Sequence, residues 1–432
     1  MDGENCMNEL SNLIEHSDEL TMQAIIAKQH QTDIANFSAR ACSQYLRQVR
    51  DHYKKTKNRL FLDAGVAIWR QSKFHKQTDT YINNAIGWIF RDLCFDFDYA
   101  IEDQLKIANQ IITMTAQENY SPYENTVWRI LDALEKSKIS NKAEVMLSYI
   151  KKLDHTKLSR TPFQAANDRE LASDQERWFS HYSKLTHKLH LYEECIDIST
   201  KFVHAFTKFH YNNDIWAQRR IALCYMELGN VEKAKDMLQQ TLKKFDNTNI
   251  YAALMEVAIR EQDVVLAKSY AANAILNRAG EMHHKVKVLQ SLAVLFEADE
   301  PKLAYAHYAL LHSVRKKQAW PVLPHVVEKI NAYEKEELPL LDQRALKKYW
   351  EELAATLYPT YEGEIAVIFG NEESGKIKMN DEEYYFSLRK NKQLKKNELQ
   401  LGRKVTFRIK ESFDYKKQRD SYEAIAMKLK KY

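Results

Sequence analysis

The sequence predicts a mostly helical repeat protein that ends in a small β-barrel. Three observations support this prediction: apolar residues recur at helical spacing before residue 360, all seven prolines precede that position, and apolar residues alternate at period two beyond it. A chain of 432 residues exceeds the size at which a single hydrophobic core stops growing, so more than one structural unit is expected.

One-sided helices are predicted throughout residues 1–180. The clearest apolar stripe is formed by Cys42, Tyr45, Leu46, Val49 and Tyr53. Segments 85–93 and 146–153 show the same spacing. Since each such helix needs a neighbour to cover its apolar face, these residues are expected to form an N-terminal helical region, for which no regular period is apparent.

Residues 181–355 are predicted to form repeated helix pairs. In segment 218–246, Ile221 and Tyr225 lie on a first helix, a turn follows at 228–230, and Ala234 lies on a second helix. The small side chain of Ala234 allows two helices to cross closely. This segment resembles a tetratricopeptide unit.

Small residues recur at comparable places in this part of the chain. They are Cys195, Ala234, Ala267 and Ala304. Their spacings are 39, 33 and 37 residues, of which one is close to the ~34 of an ideal tetratricopeptide unit. A degenerate array with variable loops is therefore expected.

The resemblance implies a superhelix that binds extended segments of a partner protein. The first helix of the 218–246 unit would then line the binding surface with Trp216, Arg219 and Met226. The alternative is that Trp216 and Met226 are ordinary core residues.

Residues 360–432 are predicted to form a small all-β domain. Five short strands are expected at 364–369, 375–379, 383–388, 404–410 and 424–429. Closing five short strands into a barrel removes the exposed sheet edges.

This segment resembles a cold-shock-type OB-fold domain. The resemblance is carried by Gly363 at the first strand, the Gly375-Lys376-Ile377 motif, the aromatic-bearing segment 384–387, and the Leu-Gly-x-x-Val-x-Phe pattern at 401–407. In that family, aromatic residues exposed on the second and third strands stack on single-stranded bases while lysines contact phosphates. This chain departs from the pattern, because Val367, Ser374 and Lys376 occupy aromatic positions and only Tyr385 is retained.

Basic residues of the domain could replace part of that lost affinity. The predicted nucleic-acid-binding set is Lys376, Tyr385, Arg389, Lys390, Lys392, Lys395, Lys396, Arg403 and Lys404. Arg408 and Lys410 extend the second basic cluster. The competing interpretation is a barrel that docks onto a protein.

The charge distribution also separates this domain from the rest. Residues 361–432 hold 17 Lys and Arg against 12 Asp and Glu, which accounts for the whole net charge of +5. Within them, residues 389–432 carry 15 basic and 5 acidic residues. Such polarity favours contact with an anionic partner, and an ordinary solvated surface is the alternative.

No pattern in the sequence predicts an enzyme, a cofactor or a metal site. Residues 370–376 fit G-x-x-x-x-G-K, but Ile377 stands where a magnesium-binding Ser or Thr is needed and a strand is predicted to follow. The acidic residues at 92–103 lack the glycine of a calcium loop and are interpreted as a solvated helix end. The adjacent His283 and His284 would diverge on a helix and are interpreted as surface residues.

Five cysteines without C-x-x-C spacing predict reduced thiols, and the polar first ten residues predict a cytoplasmic protein. The favoured hypothesis is a non-catalytic adaptor whose helical repeats bind a protein and whose barrel contacts single-stranded or structured RNA or DNA. The alternative is a pure protein scaffold whose barrel serves docking or dimerisation. The combination resembles bacterial accessory proteins, which implies a regulatory or defence context.

Overall fold

A computed structural model describes residues 34–165, 168–391, 394–414 and 417–430. Cys6 and the predicted site residue Lys392 lie outside these ranges. The chain divides into two compact units. The first comprises the described residues up to Leu191 together with Phe209–Tyr211, and the second comprises Tyr192–Lys208 together with the described residues from Asn212 onward.

The first unit is built from helices that pack mainly on their neighbours in sequence. Its helices are α1 (Ala39–Thr56), α2 (Leu60–Gln71), α3 (Thr80–Asp96), α4 (Ile101–Met114), α5 (Tyr123–Lys136), α6 (Lys142–Ile150) and α7 (Asp174–Lys188). Ser38 begins the first of them, because its hydroxyl accepts a hydrogen bond from the Ala41 amide at 3.1 Å.

The predicted stripe of α1 is its buried face. Cys42, Tyr45, Leu46 and Val49 are fully buried and Tyr53 is 2% exposed. They form one core with the apolar faces of α2 and α3. The periodicity at 42–53 therefore predicted this helix and its orientation correctly.

The helical prediction for residues 1–180 misses one feature of the described residues. A short antiparallel sheet pairs β1 (Phe163–Gln164) with β2 (Glu170–Leu171). Each strand has only two residues, and Phe163 is exposed. A pair this short adds little apolar burial and leaves no period-two signal in the sequence.

The acidic residues near the end of α3 are structural, and the interpretation as a solvated helix end is wrong for Asp92. Its carboxylate is 2% exposed and lies 2.5 Å from Nε of Arg50 and 2.7 Å from Nη1 of Arg91. Asp96 accepts a hydrogen bond from Tyr53 at 3.0 Å. Paired buried charges of this kind satisfy one another.

The second unit begins with a series of helix pairs. Its helices are α8 (Tyr192–Ala205), α9 (Asn213–Glu227), α10 (Val231–Lys244), α11 (Thr248–Arg260), α12 (Val264–Leu276), α13 (Val286–Phe296), α14 (Pro301–Lys317), α15 (Pro324–Lys335) and α16 (Gln343–Thr356). Helices α9/α10, α11/α12 and α13/α14 pack as successive pairs, each also touching the next pair. The predicted tetratricopeptide-like architecture is confirmed.

The four small residues predicted at helix crossings are all fully buried. They are Cys195, Ala234, Ala267 and Ala304, on α8, α10, α12 and α14. Burial of one small side chain on each of these helices matches the close approach that the recurrence predicted.

Helix α16 turns back onto the array instead of extending the series of pairs. It packs on α12, where Thr356 and Ser269 share a hydrogen bond of 2.6 Å. On the neighbouring α14, Nε2 of His307 accepts a hydrogen bond of 2.8 Å from the indole of Trp350. The last helix is therefore held by polar contacts, of which the Trp350–His307 bond is buried, before the chain enters the barrel.

The C-terminal domain is a closed five-stranded barrel. Its strands are β3 (Thr360–Ile368), β4 (Ser374–Met379), β5 (Glu382–Ser387), β6 (Lys404–Asp414) and β7 (Arg419–Leu429). The order around the barrel is β3-β4-β5-β7-β6, antiparallel except for the parallel β5–β7 pair. The predicted five-stranded barrel is confirmed.

Alternate residues of these strands point into the barrel. Ile365, Ile377, Phe386, Val405 and Phe407 are all fully buried. The turn from β3 to β4 contains the G-x-x-x-x-G-K pattern, and β4 already begins at Ser374. The pattern therefore joins two strands and precedes no helix of the kind that binds phosphate.

Candidate functional site

The first helices of the repeat pairs carry a polar surface. Arg219 on α9 donates a hydrogen bond from Nε to the carbonyl of Asn249 at 3.1 Å, which links it to α11. Burial lowers the pKa of Arg219, and the nearby carboxylate of Glu256 opposes that shift. Burial likewise raises the pKa of Glu256, with Arg219 and then Lys287 of α13 opposing it. Three successive first helices thus place alternating charges within electrostatic range.

Trp216 lies at the edge of this surface. Its ring is half-buried and meets Phe245 edge-to-face, with centroids 5.8 Å apart. Trp216 and Arg219 are therefore both partly accessible on α9.

Met226 does not reach this surface. It is 2% exposed and belongs to the apolar core of the array. The side chain of Met226 packs between the helices, so none of it forms a surface that a ligand could contact. The core interpretation of Met226 is the one that fits the structure.

On the barrel, the register aligns three of the positions taken from the family resemblance. Val367 on β3 pairs with Lys376 on β4, and Lys376 pairs with Tyr385 on β5. Paired residues of neighbouring strands point to the same face of a sheet. Tyr385 is 42% exposed there, whereas Ser374 is buried and has no part in the surface.

Phe369 is a further aromatic residue of this face that sequence reasoning missed. It is 37% exposed and stacks on Tyr385, with ring centroids 6.3 Å apart and ring planes 23° from parallel. Period-two alternation groups Phe369 with buried Ile365, but the register of β3 on β4 shifts between Ile365 and Val367. The alternation therefore did not indicate the side-chain direction of Phe369 correctly. Its aromatic character at the end of an exposed strand was the available signal.

Three of the predicted basic residues are already paired with carboxylates. Lys376 lies 2.5 Å from Glu383, Lys396 lies 2.8 Å from Glu372, and Lys390 pairs with Glu423. The acidic and basic halves of the barrel sequence thus partly neutralise each other in space. A lysine in such a pair attracts phosphate less strongly than a free lysine does.

Other predicted basic residues keep their charge unpaired. Within the described residues, no carboxylate forms an ion pair with Arg389, Lys395 or Lys404, and all three are exposed. Arg403 is half-buried, and its Nε has no hydrogen-bond partner among described residues.

A surface depression of about 660 Å³ brings part of this set together. It is lined by Ile368, Glu372, Lys395, Lys396, Asn397 and Leu399. Neither ring of the aromatic pair lines this depression, although Ile368 directly precedes Phe369 in the chain. We call the exposed aromatic pair and the depression together the barrel face.

Two basic residues of β6 serve a different purpose from the one predicted. Lys410 is 9% exposed, and its Nζ donates hydrogen bonds to Asp246 at 2.5 Å and to the hydroxyl of Tyr251 at 2.9 Å. Arg408 donates to the carbonyl of Tyr358 at 2.7 Å. These contacts hold the barrel against the repeat array, so neither cation is available to a nucleic acid as the sequence pattern implied.

A second group of contacts reinforces this docking. Lys243 of α10 lies 2.8 Å from Glu411 and 3.4 Å from Asp420, one on each of the two paired strands β6 and β7. The ammonium of neighbouring Lys244 lies 5.3 Å from the ring centre of Phe413. The docking surface is therefore rich in charge and lies at the C-terminal end of α10, the second helix of the predicted 218–246 repeat unit.

Within the residues that the structure describes, no group of three or more His, Cys, Asp and Glu side chains is arranged to hold a metal ion. His283 and His284 contact each other, with ring centroids 3.9 Å apart. None of the described helices combines the length and the apolar character needed to cross a membrane.

The fold defines a tetratricopeptide-like helical-repeat protein with a C-terminal five-stranded barrel. A family model described as tetratricopeptide repeat matches residues 216–248, which cover most of α9 and all of α10. No curated protein matches the chain in sequence.

Three solved structures illustrate the proteins to which this chain is similar. The crystal structure of MamA is 14% identical, covers 42% of this chain and 90% of its own, and has a TM-score of 0.29. The crystal structure of the APC/C hetero-tetramer Cut9–Hcn1 is 12% identical, covers 80% of this chain and 62% of its own, and has a TM-score of 0.37. A human IFIT1 dimer with PPP-AAAA is 12% identical, covers 74% of this chain and 74% of its own, and has a TM-score of 0.36.

Proposed function

We propose that this protein is a non-catalytic cytoplasmic adaptor. Its helical repeats bind a protein partner over the polar surface of α9, α11 and α13. Its barrel contacts single-stranded nucleic acid through the barrel face and the unpaired cations around it. The protein-binding half is supported by the tetratricopeptide match at 216–248, since such repeats present their first helices to partners.

The nucleic-acid half is supported by one observation, the exposed stacked pair of Phe369 and Tyr385 on a barrel that also carries exposed cations. Two solvent-exposed aromatic rings on a small barrel offer a platform for bases, and each base–aromatic stack contributes on the order of 1–3 kcal/mol. Lys395 in the depression and exposed Arg389 supply charge for the phosphates. This platform replaces part of the affinity that the missing family aromatics would have provided.

The test is a titration of the full chain with fluorescently labelled single-stranded RNA and DNA of mixed sequence, followed by anisotropy. Replacing Tyr385 or Phe369 with alanine should weaken binding by roughly 5- to 150-fold, the equivalent of one lost stack. The matched control is Tyr422→Ala, because Tyr422 is a 53%-exposed aromatic of the same barrel outside this pair. Equal affinity of all four proteins would refute the proposed platform.

The protein-binding half has its own test. A photo-crosslinking amino acid placed at Arg219 or Lys287 should give one discrete crosslinked species in extracts of the native cell. The same amino acid placed at exposed Lys302 on α14 serves as the control. Identical crosslinking patterns from all three positions would argue against a binding surface on the first helices.

A pure protein scaffold is the second candidate. It is favoured by the docking of β6 and β7 onto α10 and α11, which shows a barrel engaged in contact with helices. On this alternative the full chain binds no single-stranded nucleic acid at low salt, while crosslinking from Arg219 persists.

A further inference from the structure

A depression of about 480 Å³ lies in the second unit. Its lining comes from the C-terminal ends of α12 and α14, the N-terminal part of α16 and the segment 281–283. None of the described residues of α9, α11 and α13 contributes to it, so it is distinct from the surface proposed to bind a protein. Small-molecule sites commonly measure about 300–1,000 Å³, so the depression is large enough to hold a ligand.

Three of the lining residues are apolar and buried. Ile275, Leu310 and Trp350 are 4%, 9% and 5% exposed. The indole N–H of Trp350 already donates to His307, so the ring presents apolar surface to the depression. Half-buried apolar side chains extend this surface, and they are Leu276, Met282 and Val314. The apolar body of a ligand would leave water on contact with these side chains, which favours binding.

A buried lysine holds one wall of the depression in place. Nζ of Lys285 donates hydrogen bonds to the carbonyl oxygen of Ile275, at 2.8 Å, and to that of Asn277. These bonds join the segment that follows α12 to the end of that helix. The wall at 281–283 is therefore formed without a ligand, as in most small-molecule sites.

Two lysines lie at the rim of the depression. Lys317 in the last turn of α14 and Lys347 in the second turn of α16 are both lining residues and both exposed. Within the part of the chain that the structure describes, Lys317 forms no ion pair. Lys347 lies 3.9 Å from Glu351, but both side chains are more than half exposed, so water screens that contact. Both ammonium groups can therefore bind an added anion.

One lining carboxylate opposes these two charges. Glu281 is 82% exposed and lies 3.3 Å from Nδ1 of His283 on the same segment. Since that contact already engages the carboxylate, the two ammonium groups outweigh it at the rim. Uncharged hydrogen-bonding side chains complete the lining, and they are Ser313, Gln318 and Gln343. The lining therefore combines an apolar interior with a rim that attracts negative charge.

We propose that this depression binds a small organic anion with an apolar body, of which a medium-chain carboxylate is the simplest example. The apolar body packs against Ile275, Leu310 and Trp350, and the carboxylate accepts hydrogen bonds from the ammonium groups of Lys317 and Lys347. Charge-assisted hydrogen bonds of this kind are stronger than those between neutral groups. This site is independent of the proposed adaptor function.

The first experiment is isothermal titration calorimetry of the full chain with octanoate, hexanoate, octanol and octylamine. Hexanoate lacks two methylenes of octanoate and should bind about tenfold more weakly. Octanol lacks the charge and should also bind at least about tenfold more weakly than octanoate. The proposal is overturned if octanol or octylamine binds as tightly as octanoate, or if octanoate does not bind with a dissociation constant of about 1 mM or less.

The place of binding can be read from the tryptophans. The chain has seven of them, and 5-fluorotryptophan gives each a fluorine NMR signal, assigned from single phenylalanine replacements. Octanoate should shift the signals of Trp350 and of Trp320, whose ring meets that of His283 edge-to-face with centroids 6.2 Å apart. Half-buried Trp216 on α9 is the control and should not respond. An equal shift at Trp216 would mean that octanoate binds elsewhere.

The contribution of charge is measured in a double variant. Lys317→Gln combined with Lys347→Gln should weaken octanoate binding by about tenfold and leave octanol binding unchanged. The matched control combines Lys302→Gln with Lys335→Gln, because both are exposed lysines outside the lining. All four positions are exposed, so the replacements should leave the fold intact, which circular dichroism verifies. Equal affinity of the two double variants for octanoate would contradict a role for the rim lysines.

The space itself is tested at Ser313, an exposed lining residue of α14. Ser313→Phe places a ring in the depression and should weaken octanoate binding by at least about tenfold, since a filled space cannot also hold the ligand. Ser313→Ala removes the hydroxyl without filling the space and should retain most of the affinity. If octanoate binds both variants equally well, the depression is not its site.

Discussion

Lys410 in the barrel and Asp246 in the repeat array form an ion pair of 2.5 Å across 164 positions of sequence. The ammonium also donates to Tyr251, whose hydroxyl lies 3.5 Å from that of Tyr358 in the segment before β3. Burial, followed by the charge of Asp246, raises the pKa of Tyr251, so this phenol remains protonated. The barrel is thereby attached to the array by a buried cation with two acceptors.

Replacing Asp246 and replacing Lys410 should lower the free energy of unfolding by unequal amounts. Asp246→Ala leaves the Lys410 ammonium buried with only a phenol as acceptor, at a cost of about 2–3 kcal/mol in the free energy of unfolding. Lys410→Met leaves a carboxylate that is 44% exposed and can be hydrated, so its cost should be nearer 1 kcal/mol. Urea unfolding of the full chain measures both.

The double variant should be more stable than the sum of the single costs implies, by a coupling of about 1–2 kcal/mol. Lys428→Met serves as the control, because Lys428 is an exposed lysine of β7. Additive losses would mean that the two residues do not stabilise the docked barrel together.

This docking could not be predicted from the sequence. Period-two alternation located β6, but it says nothing about which outward-facing residue meets another part of the chain. Arg408 and Lys410 were therefore counted with the basic residues available to nucleic acid, whereas their partners are a carbonyl at Tyr358 and a carboxylate at Asp246. Pairing at such distance in sequence depends on tertiary packing and leaves no local signal.

Gly375 should be the least replaceable glycine of the barrel. A Cβ at this position would lie 2.0 Å from the carbonyl oxygen of Val367 and 2.8 Å from the ring of Phe386. Because the first obstacle is backbone of the paired strand, Gly375→Ala should destabilise the barrel by roughly 3 kcal/mol or more. Thermal unfolding followed by circular dichroism provides the measurement.

Gly370 is the matched control for this substitution. It lies in the turn between the same two strands, and nothing comes within 4 Å of a Cβ built there. Gly370→Ala should change stability by less than about 1 kcal/mol. Equal destabilisation at both positions would show that the close approach of β3 to β4 is not what requires Gly375.

His307 should make the repeat array less stable in acid. Burial lowers its pKa to about 4, because the neutral ring is fully buried, with Nδ1 2.7 Å from the Leu303 carbonyl and Nε2 accepting from Trp350. Between the unfolded pKa of about 6.5 and the folded value, the unfolded chain binds more protons. The contribution of His307 to the free energy of unfolding should therefore be constant above pH 6.5 and fall by on the order of 3 kcal/mol toward pH 4.

The variant that tests this is His307→Gln, whose side chain can still accept from Trp350 but does not titrate in this range. The difference in stability between the original chain and the variant should shrink as the pH falls from 7.5 to 4.5. A constant difference would mean that His307 does not carry the acid response.

His210 should have the opposite pH dependence. Burial alone would lower its pKa, but hydrogen bonds to Glu176 at 2.7 Å and Glu170 at 2.8 Å, together with their charges, raise it. The stabilisation is complete below the unfolded pKa of about 6.5 and is lost as the pH rises through the folded value. In thermal unfolding at pH 6, the first unit of the original chain should be more stable than that of the His210→Gln variant. This difference in stability should decline toward pH 9.

Local patterns in the sequence predicted the helices, the strands and the buried small residues. The contacts that form when separate elements pack together were missed. The recurrence of small residues predicted the burial of Cys195, Ala234, Ala267 and Ala304, because helices can cross closely only where a side chain is small. Met226 was misassigned because an apolar residue on α9 has the same spacing whether it faces the groove or the core.

The barrel face was predicted in part for a similar reason. Tyr385 was identified from the resemblance to the cold-shock family, in which its position is aromatic, and it lies between buried Tyr384 and Phe386 on β5. Alternation groups Phe369 with buried Ile365, and the register shift of β3 between Ile365 and Val367 leaves no signal in the sequence. The contact of Phe369 with Tyr385 is a tertiary feature. The ion pairs of Lys376, Lys390 and Lys396 likewise join segments that the sequence treats as separate acidic and basic blocks.

Those ion pairs lead to a prediction about the salt dependence of nucleic-acid binding. Arg389, Lys395 and Lys404 are exposed and unpaired among the described residues, so they should account for most of the counterion release. Replacing all three with glutamine should reduce the slope of log affinity against log salt by about 2 for a single strand. The control replaces exposed Lys302, Lys316 and Lys317 of α14 with glutamine, which changes the net charge equally and should leave the slope unchanged. Equal loss of slope in both triple variants would show that the total charge of the protein, and not the barrel face, attracts the strand.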